Sequence, residues 1–144
     1  MNHLTRSDYA GALRLLAELE ACSHSAAEFA RVGVIALTGF VASELTTLSV
    51  CDLRTGHRQV TGLPGVRLGA QDIAGFDRHF FEHPLVLYHG MRGGEHVHRI
   101  SDAMSLRDFR NTELYDDYYR RIGIQHPVAV PVYQDRRTLV SFVL

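Results

Sequence analysis

The chain has 144 residues, of which 46% are apolar and 22% are charged, and its formal net charge is −1. This length suits one domain with a core of its own, so we expect a single domain over residues 1–144. The near-neutral charge argues against nucleic-acid binding by this segment alone, because such binding usually requires a clear excess of basic residues.

Three features of the sequence indicate the cellular compartment of the protein. No apolar run approaches the roughly 18 residues that span a bilayer, and residues 1–8 lack the apolar segment of a secretion signal. The two cysteines, Cys22 and Cys51, are far apart and belong to no pairing motif, so we expect buried, reduced thiols. The sequence therefore favours a cytoplasmic protein without membrane contact.

Two amphipathic helices are predicted first. Ser7 is a candidate cap for a helix over residues 8–20, whose apolar positions follow the helical period: Tyr9, Leu13, Leu16 and Leu19. Ser25 and Glu28 have the spacing of a capping box. The helix that they open is predicted to place five residues on one face: Phe29, Val32, Gly33, Ala36 and Phe40.

A hairpin is predicted next. Residues 45–51 are rich in Thr, Val and Leu, which suits a strand. Residues 52–56, DLRTG, contain the Asp and Gly that a tight turn favours, and residues 57–63 form the returning strand.

The middle of the chain is predicted to hold a third helix and a loop. Apolar residues recur at helical spacing over residues 70–82, and Pro84 is expected to stop this helix. Residues 85–88, LVLY, are either a strand or a buried connection. Residues 90–95, GMRGGE, contain three glycines and are predicted to form a flexible loop. A phosphate-binding loop is disfavoured there, because the Lys-Ser/Thr ending is missing.

The last third is predicted to hold short helices and a second hairpin. Ser105 and Thr112 are candidate helix caps, and Gly123 occupies the position of a left-handed helix end. Strands are predicted over residues 127–133 and 138–144.

This order of elements predicts an α+β fold in which helices pack on a central antiparallel sheet. The sequence stops inside an apolar strand, at Leu144. Exposed apolar strand ends promote aggregation, so we expect a longer natural protein.

The pentapeptide HFFEH at 79–83 matches the inverted zinc-protease pattern, with His79 and His83 as metal ligands and Glu82 as general base. However, Pro84 follows directly, so the second histidine would lie at the end of its helix. No acidic third ligand stands at a distinctive spacing. We favour histidines without a metal and keep a zinc-dependent hydrolase as the alternative.

Tyrosines cluster before the second hairpin. A tyrosine has an apolar body and a polar tip, which suits either the edge of a core or the wall of a small-molecule pocket. We favour core packing and keep pocket lining open. If a pocket exists, its predicted wall residues are Tyr88, Phe109, Tyr115 and Tyr119.

Four runs carry a family resemblance: HPLV at 83–86, RISD at 99–102, LRDFRNTELYDDYY at 106–119 and IGI at 122–124. In this order and spacing they resemble the N-terminal GAF-like sensory domain of bacterial LuxR-type transcription regulators. The resemblance covers mainly the second half of the chain.

This resemblance implies a GAF/PAS-like fold, with helices on both sides of an antiparallel sheet. It further implies a homodimer, and a C-terminal helix-turn-helix domain, outside this sequence, as the part that binds DNA. Five motif residues are given structural roles: Pro84, Ser101, Asp102, Thr112 and Gly123. Of these, Ser101 and Asp102 are expected to bond nearby backbone amides.

Our hypothesis is a regulatory domain, not an enzyme, which senses an unknown small-molecule effector or mediates dimerisation and needs no cofactor. A zinc-dependent hydrolase and a dimerisation module without any ligand are the alternatives. The apolar stripe of the first helix, Leu13, Leu16 and Leu19, is a candidate partner surface.

Overall fold

The computed structural model describes residues 3–63, 68–92 and 95–144. Two long helices, α1 (Arg6–Ala21) and α2 (Ala26–Phe40), precede the hairpin strands β1 (Thr47–Asp52) and β2 (Arg58–Gly62). The remaining elements follow in this order: α3 (Ala70–Arg78), a 3-10 turn (Phe80–Glu82), α4 (Pro84–Arg92), β3 (His98–Arg99), α5 (Ile100–Ala103), α6 (Leu106–Arg110), a π-helical segment (Tyr115–Tyr119), α7 (Arg120–Ile122), β4 (Val128–Gln134) and β5 (Thr138–Val143).

The strands form one antiparallel sheet in the order β2-β1-β5-β4-β3. In this sheet β1 lies between β2 and β5, with Ser49 opposite Ser141 and Cys51 opposite both Arg58 and Leu139. The predicted α+β fold with a central antiparallel sheet is therefore confirmed. The two-residue strand β3 was not predicted, because so short a segment carries no periodic signal.

The helix α2 covers one face of the sheet, and α1 packs against α2. Leu48 of β1 and Phe142 of β5 pack there against Ala30, Val34 and Leu37 of α2. The face of α2 that was predicted to be buried differs from the observed one, since Phe40 is exposed. This helix is apolar nearly all round, so periodicity alone could not select its buried face.

The other face of the sheet is covered by the elements from α3 to α7. Phe76, Phe80, Phe109, Tyr118 and Tyr119 form the aromatic part of this second core. The helices therefore lie on both sides of the sheet, in three layers.

The N-terminal cap of α1 is Thr5, which corrects the prediction of Ser7. The Thr5 hydroxyl accepts a hydrogen bond from the Asp8 backbone N–H at 3.2 Å, and the Asp8 carboxylate accepts one from the Thr5 N–H at 2.7 Å. This reciprocal capping box places Ser7 inside the helix. The predicted cap of α2 is confirmed, because the Ser25 hydroxyl accepts from the Glu28 N–H.

The prediction around Pro84 was wrong. The third helix ends at Arg78, and Pro84 begins α4 instead of stopping a helix. Residues 85–88 are therefore helical and are neither a strand nor a connection. Proline is favoured at the first position of a helix, where its missing N–H would have no partner.

The predicted loop over residues 90–95 is only partly observed. Residues 90–92 belong to α4, whereas Gly93 and Gly94 lie outside the described residues. The predicted left-handed helix end is confirmed, since Gly123 has a φ angle of 76°. Within the described residues, no helix is both long and apolar enough to cross a membrane.

Candidate functional site

A buried cavity lies between the sheet and the helical layer of α3 to α7. Its floor is one face of three strands, with Thr47, Ser49 and Cys51 from β1, Leu139 and Ser141 from β5, and Ala129 from β4. Alternate residues of a strand point to the same face. The sequence TLSVC of β1 therefore presents small polar groups to the cavity and apolar groups to α2.

The roof of the cavity consists of helical residues. Phe76 of α3, Leu85 and Val86 of α4, and Tyr118 and Tyr119 of the π-helical segment line it. The wider turn of a π-helix allows these two neighbouring tyrosines both to face inward, and they are 5% and 3% exposed.

A glycine allows the two parts of this roof to approach each other closely. A Cβ atom added at Gly75 of α3 would lie 2.6 Å from the backbone oxygen of Asp117 in the π-helical segment. Any larger residue at this position would force α3 away from the π-helical segment and its two tyrosines.

Arg58 of β2 is the charged residue of the cavity wall. Its side chain is 5% exposed, and its guanidinium carbon lies 3.5 Å from the centre of the Phe76 ring. The Nη1 and Nη2 atoms donate hydrogen bonds of 3.3 Å to the Tyr118 hydroxyl. Its Nε has no hydrogen-bond partner in the part of the chain that the structure describes.

His83 connects α4 to the π-helical segment. Its Nδ1 accepts from the backbone N–H groups of Leu85 and Val86, at 3.2 and 3.4 Å, so the side chain caps the start of α4. Its Nε2 lies 2.5 Å from the Tyr119 hydroxyl oxygen. Since Nδ1 is an acceptor, we assign the proton of the neutral ring to Nε2, which donates to Tyr119.

The electrostatics of the cavity favour a neutral His83. Burial lowers the pKa of His83 to about 3, and the positive charge of Arg58 adds to this effect. Burial raises the pKa of Tyr119 far above its usual value, and Tyr118 raises it further. Both groups are therefore uncharged at neutral pH.

Cys51 faces the same cavity from β1. Burial raises the pKa of this thiol to about 11, although the charge of Arg58 opposes that rise. Cys51 and Cys22 are both buried, as predicted, and are not joined in a disulfide. The thiol of Cys51 is therefore protonated and a poor nucleophile at neutral pH.

The cavity has a volume of about 40 Å³. One water molecule needs about 10–15 Å³ of such space, so roughly three water-sized groups fit. A ligand of drug size needs several hundred Å³. As it stands, the cavity suits a head group or a very small molecule.

The four tyrosine and phenylalanine residues that were predicted to line a pocket are not all in one place. Tyr119 lines the cavity, whereas Phe109 is fully buried behind it, between Tyr115 and Tyr119. Tyr88 lies apart from the cavity, on a surface cleft with Pro84 and Asp102. As ligand contacts, all four residues stay predictions.

The residues of the HFFEH motif are held by other protein groups. The Nε2 of His79 lies 2.8 Å from Asp117 Oδ2, and both ring nitrogens of His83 are engaged as described above. The helix ends before His79, so the two histidines do not share one helical face. Across residues 3–63, 68–92 and 95–144, no three His, Cys, Asp or Glu side chains are grouped to hold a metal ion.

Of the motif residues with predicted structural roles, Asp102 and Thr112 form hydrogen bonds with backbone groups near helix ends. Asp102 accepts from the backbone N–H of Arg99 at 2.8 Å and so caps α5. Thr112 accepts from the Tyr115 N–H and donates to the Phe109 carbonyl. Ser101 is exposed, and its hydroxyl makes no hydrogen bond to any other described residue.

Four residues of the site were not predicted from the sequence: Arg58, Tyr118, Ser49 and Ser141. A signal was present in β1, where small polar and apolar residues alternate, because such a strand separates a polar face from an apolar one. For Arg58 the sequence carries no comparable signal, because one arginine in a short strand usually points to solvent.

The fold has a counterpart among solved structures. The crystal structure of the VqsR LBD (ligand-binding) domain from Pseudomonas aeruginosa is similar with a TM-score of 0.67, over 97% of this chain and 80% of that chain. The two sequences are 15% identical, so the likeness shows the fold alone. No protein-family model and no curated protein sequence matches the chain.

Proposed function

We propose that this chain is the ligand-sensing domain of a bacterial transcription regulator of the LuxR type. The observation that carries the proposal is the buried cavity between sheet and helices, whose wall holds a charged, incompletely paired Arg58. A buried polar group without partners costs free energy and is usually kept for a function. A fold shared with the ligand-binding domain of VqsR supports this interpretation.

The family resemblance supports the same function by a separate route. Two of its runs, at 83–86 and 106–119, supply much of the cavity roof, including Leu85, Val86, Tyr118 and Tyr119. The motif is therefore associated with the part of the domain that a ligand would contact.

The mechanism that we propose is a population shift. A ligand in the cavity contacts both Arg58 of β2 and the tyrosines of the π-helical segment, so it favours the arrangement in which sheet and roof are closest. In a regulator, this preference would be transmitted to a helix-turn-helix domain outside the present sequence, which would contact DNA.

Homodimerisation is the second part of the proposal. On α1, Tyr9, Leu13 and Leu16 are 60%, 67% and 60% exposed. Leu19, which was predicted to belong to the same stripe, packs instead against the core formed by α2 and the sheet. Aligned apolar side chains at helical spacing form a surface that a second copy of the chain can cover. A dimer would join two sensing domains, each with its own cavity, through one interface.

A thermal-unfolding screen of small molecules tests the proposed function. A ligand of the cavity is expected to raise the Tm of the wild-type protein but not that of Ala129→Val, which fills the cavity from β4. Val130→Ile is the matched control, because it adds bulk on the same strand but packs toward α2. The proposal fails if no compound stabilises the wild type, or if all three proteins respond equally.

A further inference from the structure

The cavity contains a buried positive charge without a counter-ion. Arg58 is 5% exposed, and no carboxylate oxygen of the described residues lies within 4.0 Å of its guanidinium nitrogens. Asp77, whose charge raises the pKa of the neighbouring Cys51, forms no ion pair with Arg58. Removing a charge from water is costly, and pairing is the usual compensation.

The contacts that Arg58 does make leave most of its hydrogen-bonding capacity unused. A guanidinium has five N–H donors. Two donors of Arg58 form hydrogen bonds, and both bonds go to the hydroxyl of Tyr118. The Phe76 ring stabilises the positive charge through its π face but accepts no ordinary hydrogen bond. Three donors therefore remain without a partner within the described residues.

The two tyrosine hydroxyls of the cavity can donate hydrogen bonds as well. Tyr118 accepts from Arg58 and Tyr119 accepts from His83, so each hydroxyl retains its own proton for donation. The hydroxyl of Ser49 has no partner in the described parts of the chain. Among the described lining residues there is no Asp or Glu.

We propose that the cavity binds the carboxylate of a small organic acid, with Arg58 as its counter-ion and the hydroxyls of Tyr118 and Tyr119 as further donors. This inference rests on the proposed sensing function and names the chemical class of the effector. Arg58 is thereby a ligand-binding residue.

The apolar part of the lining favours a carboxylate with a hydrocarbon tail over phosphate or sulfate. The guanidinium fork matches the two oxygens of a carboxylate, and roughly three water-sized groups fit in the cavity. The rest of the wall is apolar, with Leu85, Val86, Ile124 and Leu139 around the polar groups. An acid with a short hydrocarbon tail satisfies both parts of this wall, whereas a tetrahedral dianion does not.

Thermal unfolding of the purified protein with acid and amide pairs tests the inference. Acetate and propionate are compared with acetamide and propionamide, at constant ionic strength set with sodium chloride. We expect a saturable rise in Tm with at least one acid and none with its amide. Inorganic phosphate and sulfate are included and are expected to give no saturable rise.

Variants identify the residue responsible. Arg58→Met is expected to abolish the response, and Tyr118→Phe to raise the Kd roughly tenfold. Arg58→Lys keeps the charge but loses the fork, so an intermediate Kd is expected. Arg14→Met, on the exposed surface of α1, is the matched control and should respond as the wild type does.

The free protein provides a readout that separates binding from structure. A charge that awaits a ligand destabilises the empty domain, so Arg58→Met should unfold at the same temperature as the wild type or higher. If Arg58→Met unfolds at a clearly lower temperature while Arg58→Lys retains the wild-type Tm and shows no acid response, Arg58 is structural and the inference is overturned.

The outcomes also distinguish this inference from the proposed function. If uncharged compounds stabilise the wild type but not Ala129→Val, and acids do not, then the sensing function stands and the carboxylate inference fails. If phosphate binds and the acids do not, the cavity is an anion site of another class and the inference again fails. If no compound of either kind binds, both proposals fail.

Discussion

His83 and Tyr119 are joined by a hydrogen bond between Nε2 and the phenolic oxygen, and this bond ties the start of α4 to the π-helical segment. The other ring nitrogen of His83 caps α4. One neutral imidazole therefore holds together two elements of the cavity roof, and its protonation removes the acceptor that caps α4.

The first prediction concerns pH. In the unfolded protein the pKa of His83 is 6.5, whereas in the folded protein it is about 3. Between these values the unfolded state carries one more proton, so folding stability is full above pH 6.5 and declines as the pH falls toward 3. The expected slope from this residue is about 1.4 kcal/mol per pH unit.

Urea unfolding at several pH values measures this slope. In His83→Asn, which keeps a cap acceptor but does not titrate, the decline between pH 6 and 4 should be shallower than in the wild type. His24→Asn serves as the control, since His24 is 73% exposed. Equal pH dependence in His83→Asn and the wild type would contradict the assigned neutral ring.

The second prediction concerns the close approach at Gly75. In Gly75→Ala the new methyl group meets the Asp117 backbone, so we expect a loss of about 1–3 kcal/mol of unfolding free energy. Gly39→Ala, in a helix with open space around the added methyl group, should instead stabilise by about 0.5–1 kcal/mol. Denaturant unfolding measures both, and a Gly75→Ala protein as stable as the wild type would refute the packing.

The third prediction concerns Cys51. A thiol with a pKa of about 11 has about a hundredfold less thiolate at pH 8 than one with the ordinary value of 9.0. In a Cys22→Ser background, alkylation of Cys51 should therefore be at least about a hundredfold slower in the native protein than in urea. Similar rates in both conditions would show that the cavity is open to solvent.

The fourth prediction concerns the exposed stripe of α1. Leu13→Glu with Leu16→Glu should shift the protein from dimer to monomer in sedimentation velocity experiments. The helix content should stay constant, because both side chains are at least 60% exposed. Arg14→Glu, on the same helix, should leave the dimer intact. A wild-type protein that is monomeric at every concentration would contradict the dimer proposal.

The sequence was informative where the signal is local. The hairpin at 52–56, the cap at Ser25 and the left-handed Gly123 each depend on residues within one turn, and each was predicted correctly. Pro84 shows the limit of such reasoning. The same proline can follow one helix or begin the next, and the choice depends here on the cap that His83 provides.

The site itself depends on contacts between distant segments. Arg58 and Tyr118 are 60 residues apart in the sequence. Nothing local to either residue indicates that they meet, because the pairing follows from the sheet order and from the π-helical turn. The tyrosine cluster was recognised as a candidate wall, but its charged partner was not.

The sheet order has a consequence for how the domain is made. The cavity floor is formed by β1, β4 and β5, and β5 is synthesised last among the described elements. During translation β1 can pair early with β2, but its other edge must wait for β5 to leave the ribosome. Until then the polar row of Thr47, Ser49 and Cys51 has no neighbour on that edge, so the floor of the cavity is complete only after β5 has been synthesised.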